Sequence, residues 1–146
     1  MASINPYLLF DGDCEAAFAF YKSAFGGEFT FMGRFKDMPP AEGQPPMNPA
    51  DADRVMHVSL PISKETILMG SDCQSEMPGY THTVGTNMSI SINTESKDEA
   101  DKLFNALSAG GKITMPMEQT FWGAYFGMFD DKFGIQWMVN FDEPQK

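Results

Sequence analysis

Two histidines, His57 and His82, and two cysteines, Cys14 and Cys73, are all the imidazole and thiol chemistry in this 146-residue chain. His57 sits in the run Val55-Met56-His57-Val58-Ser59, which reads as a strand, and His82 lies in a polar stretch 25 residues further on. A ligand pair from different elements is a poor start to a metal cage. For His57 two readings stand: a strand histidine bonded to a neighbour, or a pocket donor and general base, since imidazole changes charge near neutrality. Neither cysteine belongs to a C-x-x-C pair, so both are read as reduced, partly buried thiols. Cys14 falls in the first turn of an expected helix, where a thiolate gains some stability. Asp11, Asp13 and Glu15 oppose that charge, and Cys14 receives no catalytic role. There is no G-x-S-x-G and no Cys–His signature. Asp130-Asp131 belongs to a turn, where aspartate is favoured for backbone reasons. Phe121-Trp122-Gly123 falls between two expected strands. Trp122 is either core or cleft wall, and with Tyr125 and Phe126 it would make an aromatic wall for a flat or cationic ligand.

The net charge is −10. So acidic a surface repels phosphate backbones and anionic lipid, which argues against nucleic acid and membrane partners. No apolar run approaches the about 18 residues of a membrane span. Met1-Ala2-Ser3-Ile4-Asn5-Pro6 lacks a basic region followed by an apolar one, so a cytoplasmic protein is expected.

The elements that must position these residues follow from hydrophobic periodicity. Pro6 to Phe10 reads as a strand. Asp13 is a candidate N-cap for a helix whose apolar stripe is Cys14, Ala17, Phe18, Tyr21 and Phe25, with Gly26-Gly27 as its stop. Glu28 to Phe35 is a strand. The loop from residue 38 to 50 contains five prolines, which exclude helix and inner strand. It is read as an exposed connector, with a lid and a dimer arm as alternatives. Val55–Ile62 and Thr66–Ser71 form a hairpin, and the polar stretch Asp72–Gly85 holds the module boundary. Asn87–Asn93 alternates as a half-buried strand does. Ser96 and Glu99 match a capping box before the stripe Ala100, Leu103, Phe104, Leu107. Strands follow at Lys112–Met117, Ala124–Phe129 and Ile135–Phe141. The order is β-α-β-β-β twice, in modules 1–75 and 76–146 that together make one compact α+β domain.

The halves repeat weakly. Asn5 to Asp11 matches Asn87 to Asn93 at an offset of 82, and Gly26-Gly27-Glu28-Phe29-Thr30 matches Gly110-Gly111-Lys112-Ile113-Thr114 at 84. This predicts two extra residues around the second helix. A duplicated module that cannot bury its sheet alone pairs with another copy. Curved mixed sheets with helices on the convex side and a concave cleft are the expected outcome.

This pattern resembles the vicinal oxygen chelate superfamily, which includes glyoxalase I, bleomycin-resistance proteins and extradiol dioxygenases. The details are most similar to its PhnB-like subgroup: Asn5-Pro6-Tyr7-Leu8 with Phe20-Tyr21 and Phe25-Gly26-Gly27, then Val55-Met56-His57 with Ile67-Leu68-Met69-Gly70-Ser71-Asp72. The tail carries most of the resemblance, in Gln119-Thr120-Phe121-Trp122-Gly123 and Asp131-Lys132-Phe133-Gly134-Ile135-Gln136-Trp137-Met138-Val139-Asn140. Similar sequences carry a 3-demethylubiquinone-9 3-methyltransferase domain label. No strand followed by a glycine-rich turn and an acidic residue supports methyl transfer here.

The resemblance implies a divalent metal held by His and Glu from the first and last strand of each module. The matching positions in this chain are Asn5, Met69, Asn87 and Met138. Amide oxygens and thioethers do not make a site for a hard or borderline divalent cation. A slip of two or three residues brings in Tyr7, Asp72 or Gln136, still without a His–Glu set. The expectation is therefore no metal and no cofactor. The cleft would bind a small organic ligand, cationic or aromatic, lined by Asn5, Tyr7, His57, Met69, Asn87, Ser89, Trp122, Tyr125 and Met138. The alternatives are an enzyme of the same superfamily, using unusual ligands or acid–base chemistry at His57, and an interaction module. The resemblance also implies a homodimer.

Overall fold

A computed structural model describes residues 2–37, 48–74 and 79–142 of the chain. The elements run β1 (Tyr7–Phe10), α1 (Cys14–Phe25), β2 (Phe31–Arg34), β3 (Val55–Pro61) and β4 (Ile67–Asp72). Then come β5 (Ile90–Asn93), α2 (Lys97–Ser108), β6 (Lys112–Gln119), β7 (Ala124–Asp130) and β8 (Gln136–Asp142). Short 3-10 turns at Phe35–Asp37 and Pro49–Asp51 flank the proline-rich loop, whose residues 38–47 lie outside the described residues. The expected order β-α-β-β-β thus occurs twice. It builds two four-stranded mixed sheets, β1-β4-β3-β2 and β5-β8-β7-β6, with β1 parallel to β4 and β5 parallel to β8.

The chain divides into two compact units, Met1–Thr83 and Val84–Lys146. The division falls within the polar stretch 72–85, later than residue 75.

In the first unit α1 covers one face of its sheet. Strand alternation puts Val58 and Leu60 on that face, and both are fully buried. Phe18 meets Phe10 edge-on at 6.3 Å and lies so close over Gly70 that an added Cβ would sit 2.6 Å from its ring. A glycine is required at this crossing because the helix stands on bare backbone. Asp13 occupies the N-cap position of α1, but its side chain caps nothing. The capping is done by Asp72, from the end of β4. Its Oδ1 accepts from the N–H groups of Gly12 (2.9 Å) and Cys14 (3.0 Å), and its Oδ2 from Val55 N–H (2.9 Å). One buried carboxylate thereby ties helix, hairpin and parallel strand together. At the other end Gly26, at φ 81°, donates its N–H to Lys22 and ends the helix.

In the second unit the helix cap is local. Ser96 Oγ accepts from Glu99 N–H at 3.0 Å, while the Glu99 carboxylate accepts from Glu95 N–H at 3.1 Å. The reciprocal half of the capping box therefore lands one residue before the cap. Phe104 meets Phe129 edge-on at 5.1 Å and lies above Gly127. Trp137 is buried, and its indole N–H donates to Asp131 at 2.8 Å. The other oxygen of Asp131 accepts from Phe133 and Ile135 N–H, closing the β7–β8 turn.

The strand ladders correct the repeat register. Tyr7 is the partner of Met69, and Ser91 is the partner of Met138. With Met69 taken as the counterpart of Met138, Tyr7 corresponds to Ser91, an offset of 84 rather than 82, as at Gly26 and Gly110. Both helices have 12 residues, so no extra residues are spent on the second. The two-residue slip escaped sequence comparison because it preserves strand alternation.

Candidate functional site

The face of the first sheet turned away from α1 carries the chemistry. Alternation in β3 sends Val58 and Leu60 under the helix and His57 and Ser59 to the opposite side. The register then runs one row across all four strands, Tyr7, Met69, Ser59 and Phe31. His57 stands beside this row, with Gly33 as its partner on β2. The Tyr7 hydroxyl is 3.1 Å from His57 Nδ1, and His57 Nε2 is 2.9 Å from Ser59 Oγ. The imidazole also lies between two aromatic rings, with centroid distances of 5.6 Å to Tyr7 and 5.8 Å to Phe31. Glycine at position 33 makes this possible. A Cβ there would approach the Phe31 ring to 2.9 Å, so the ring can fold over only bare backbone. Tyr7 and Phe31 are 46% and 48% exposed, so both side chains reach solvent.

The polar groups of this face are uncharged hydroxyls and one imidazole. The described ion pairs of the unit lie elsewhere. Arg34 pairs with Glu15 of α1, on the helix side. Arg54 donates to Asp11 (2.8 Å) and to the Cys73 carbonyl (2.7 Å) at the end of β1. The hydrogen bond from Arg54, helped by the Cys73 thiol, holds the Asp11 carboxyl below the usual carboxylate range. Burial pushes the Cys14 thiol well above its ordinary value, and Asp72 and Glu15 push the same way. Burial also raises Cys73. Burial thus disfavours the thiolate, the reactive form, at both cysteines, and most strongly at Cys14. His82 has its Nδ1 3.1 Å from the Tyr80 hydroxyl.

Other candidate residues are dispersed. Asn5 precedes β1 and accepts from Ile67 N–H at 3.0 Å, pinning the start of β4. Asn87 and Ser89 are exposed ahead of β5. Met138 lies on the helix-free face of the second sheet, in a row with Met128 and Met115. Trp122 is not core. It is 58% exposed, 5.0 Å from the Phe121 ring and 6.3 Å from Phe126. Tyr125 points the other way. Its hydroxyl donates to Asp101 of α2 at 2.7 Å, which raises its pKa, and Lys97 lies over its ring. Trp122 and Phe126 thus meet, and Tyr125 does not join them.

Sequence reasoning missed Ser59 and Phe31. Ser59 was within reach, because residues two apart in a strand share a face. Phe31 was not, since its meeting with His57 depends on the β2–β3 register.

Among the described residues no group of three or more His, Cys, Asp and Glu side chains comes together to hold a metal ion. At the first-and-last-strand positions the ladders pair phenol with thioether, Tyr7 with Met69, and hydroxyl with thioether, Ser91 with Met138. Neither pair suits a hard or borderline divalent cation. Among the described residues no helix is long and apolar enough to cross a membrane.

A family model described as Glyoxalase/Bleomycin resistance protein/Dioxygenase superfamily matches residues 3–139. The chain belongs to this superfamily. It is similar to the Escherichia coli K12 protein YjdN, at 30% identity over 97% of both chains. Its fold also superposes on proteins of known structure. Protein PA1353 from Pseudomonas aeruginosa is 41% identical, with a TM-score of 0.81, over 99% of this chain and 100% of that one. The PhnB protein from Bacillus cereus, which bears a 3-demethylubiquinone-9 3-methyltransferase name, is 26% identical, with a TM-score of 0.72, over 96% and 99%. The two-sheet, two-helix arrangement is thus the α+β fold of the glyoxalase superfamily, and the PhnB-like resemblance read from the sequence holds.

Proposed function

We propose that this protein binds a small, flat organic molecule on the helix-free face of its first sheet, without a metal ion. The observation that carries this reading is the Tyr7–His57–Ser59 chain, flanked by the open rings of Tyr7 and Phe31. Two rings supply apolar area at low entropic cost, and a few placed polar groups supply orientation, as small-molecule sites require. An aromatic ligand fits this lining. Among the described residues of this face a cation would find ring faces but no carboxylate, so the cationic class is the less favoured one. The methyltransferase name of the Bacillus relative gains no support from this lining.

Metal-free protein, screened by thermal shift against aromatic acids, amides and amines, should gain stability with members of the first two classes. The gain should disappear in Tyr7→Phe and His57→Phe. A single tightly bound divalent ion per chain after dialysis, or binding only when such an ion is present, would overturn the reading.

The same chain favours one second reading, acid–base catalysis. Both ring nitrogens of His57 are already engaged, so a proton would pass to substrate through the Tyr7 or Ser59 hydroxyl. His57→Ala would then abolish turnover, and so would either Tyr7→Phe or Ser59→Ala, according to which hydroxyl relays the proton. The free thiols Cys14 and Cys73 support a reducing, cytoplasmic setting. Exposed Phe121 and Trp122 support a homodimer, since such side chains are what interfaces cover. Sedimentation velocity tests the latter.

A further inference from the structure

Resting on that reading, we infer that the site switches its hydrogen-bond polarity with the protonation of His57, and that the charged form takes a carboxylate. Neutral imidazole has one N–H and one lone pair. If Nδ1 carries the proton, it donates to the Tyr7 oxygen, and Ser59 must donate to Nε2. The Tyr7 O–H is then turned outward as a donor, and Ser59 is left to accept. The other tautomer reverses both roles. In either case the face offers a ligand one donor and one acceptor.

Protonated imidazole has two N–H groups and no lone pair. It donates to both hydroxyl oxygens, at the 3.1 Å and 2.9 Å contacts, and frees both O–H protons to point outward. Two hydroxyl donors backed by a cation complement the two oxygens of a carboxylate. The tilted rings of Tyr7 and Phe31 would flank an aromatic body attached to it.

The surroundings let the imidazole set this polarity alone. The groups facing it are Tyr7 and Leu9 from β1, Met69 and Ser71 from β4, Ser59 from β3, and Phe31 and Gly33 from β2. Of these only Tyr7 carries another ionisable group, a phenol. Among the described residues of the first sheet, no carboxylate is hydrogen-bonded to Tyr7, His57 or Ser59 to compete for the two hydroxyl donors.

Benzoate and its neutral counterpart benzamide are suitable probes. Benzoate stays ionised above about pH 5. Calorimetric titration of the metal-free protein at about pH 6 and about pH 8 spans the range in which imidazoles change charge. Benzoate should bind at least about tenfold more tightly at the lower pH, and binding at the higher pH should take up close to one proton, read from two buffers of different ionisation enthalpy. Benzamide, a donor and acceptor in one group, should bind with little pH dependence. His57→Gln should remove the benzoate pH dependence, and His82→Gln should keep it. Should His57→Gln fail to fold, the His57 ring resonances of the wild type serve instead. Benzoate must shift their titration upward. Benzoate affinity independent of pH, or no proton uptake, overturns the inference while benzamide binding leaves the binding reading standing. Failure of both probes overturns both.

Discussion

The carboxylate of Asp72, at the end of β4, accepts from the N–H of Cys14 at 3.0 Å and so caps a helix 58 residues earlier in the chain. Its second oxygen takes the Val55 N–H. Removing it leaves three backbone donors without a partner, two of them buried. Asp72→Ala should therefore cost about 3 kcal/mol or more, and Asp72→Asn about 1–2 kcal/mol, because one acceptor becomes a donor facing an N–H. Chemical denaturation of the two variants checks both values and their order.

The acid limb of the stability curve should depend on Asp11. Its folded carboxyl sits below the ordinary range because Arg54 and Cys73 bond to it. A lowered folded value means that folded Asp11 binds a proton less readily than the unfolded chain does. Its stabilising contribution is therefore complete above the unfolded carboxylate value of about 3.9, and is lost as pH falls through the folded value. Asp11→Asn should be less stable than the wild type near neutrality, and the gap should close in strong acid. Denaturant midpoints measured from neutral to acid pH check this.

Cys14 should resist alkylation in the folded protein. Burial and two nearby carboxylates keep it protonated, and the thiol is the unreactive form. Mass spectrometry after iodoacetamide treatment should find Cys14 unmodified under native conditions and modified in denaturant.

The two tryptophans should report different environments. Trp137 is 2% exposed and bonded to Asp131, whereas Trp122 is 58% exposed. Trp122→Phe should leave a single emitter with short-wavelength fluorescence, largely protected from acrylamide. Equal quenching of both residues would contradict this placement.

What the sequence revealed follows the range of the interactions. The β-α-β-β-β order was legible because alternation and helical spacing are local signals. Ser96 was legible as a cap, since its partner Glu99 is three residues away. The cap of α1 was not. Asp13 occupies the expected position, but the work is done by Asp72, reached only through the parallel pairing of β1 with β4. The same pairing hid the partnership of Tyr7 with His57, 50 residues apart. Ser59, two residues from His57, was open to prediction. Tyr125 was misplaced relative to Trp122 because strand alternation turns it toward α2 and its partner Asp101.

The most direct test of the central claim is a chemical-shift titration of isotope-labelled, metal-free protein with benzamide and benzoate, in the presence of a chelator. Binding on the first sheet predicts shifts concentrated at Tyr7, Phe31, His57, Ser59 and Met69, unchanged by the chelator. Shifts confined to the second unit, or binding that the chelator abolishes, would contradict it.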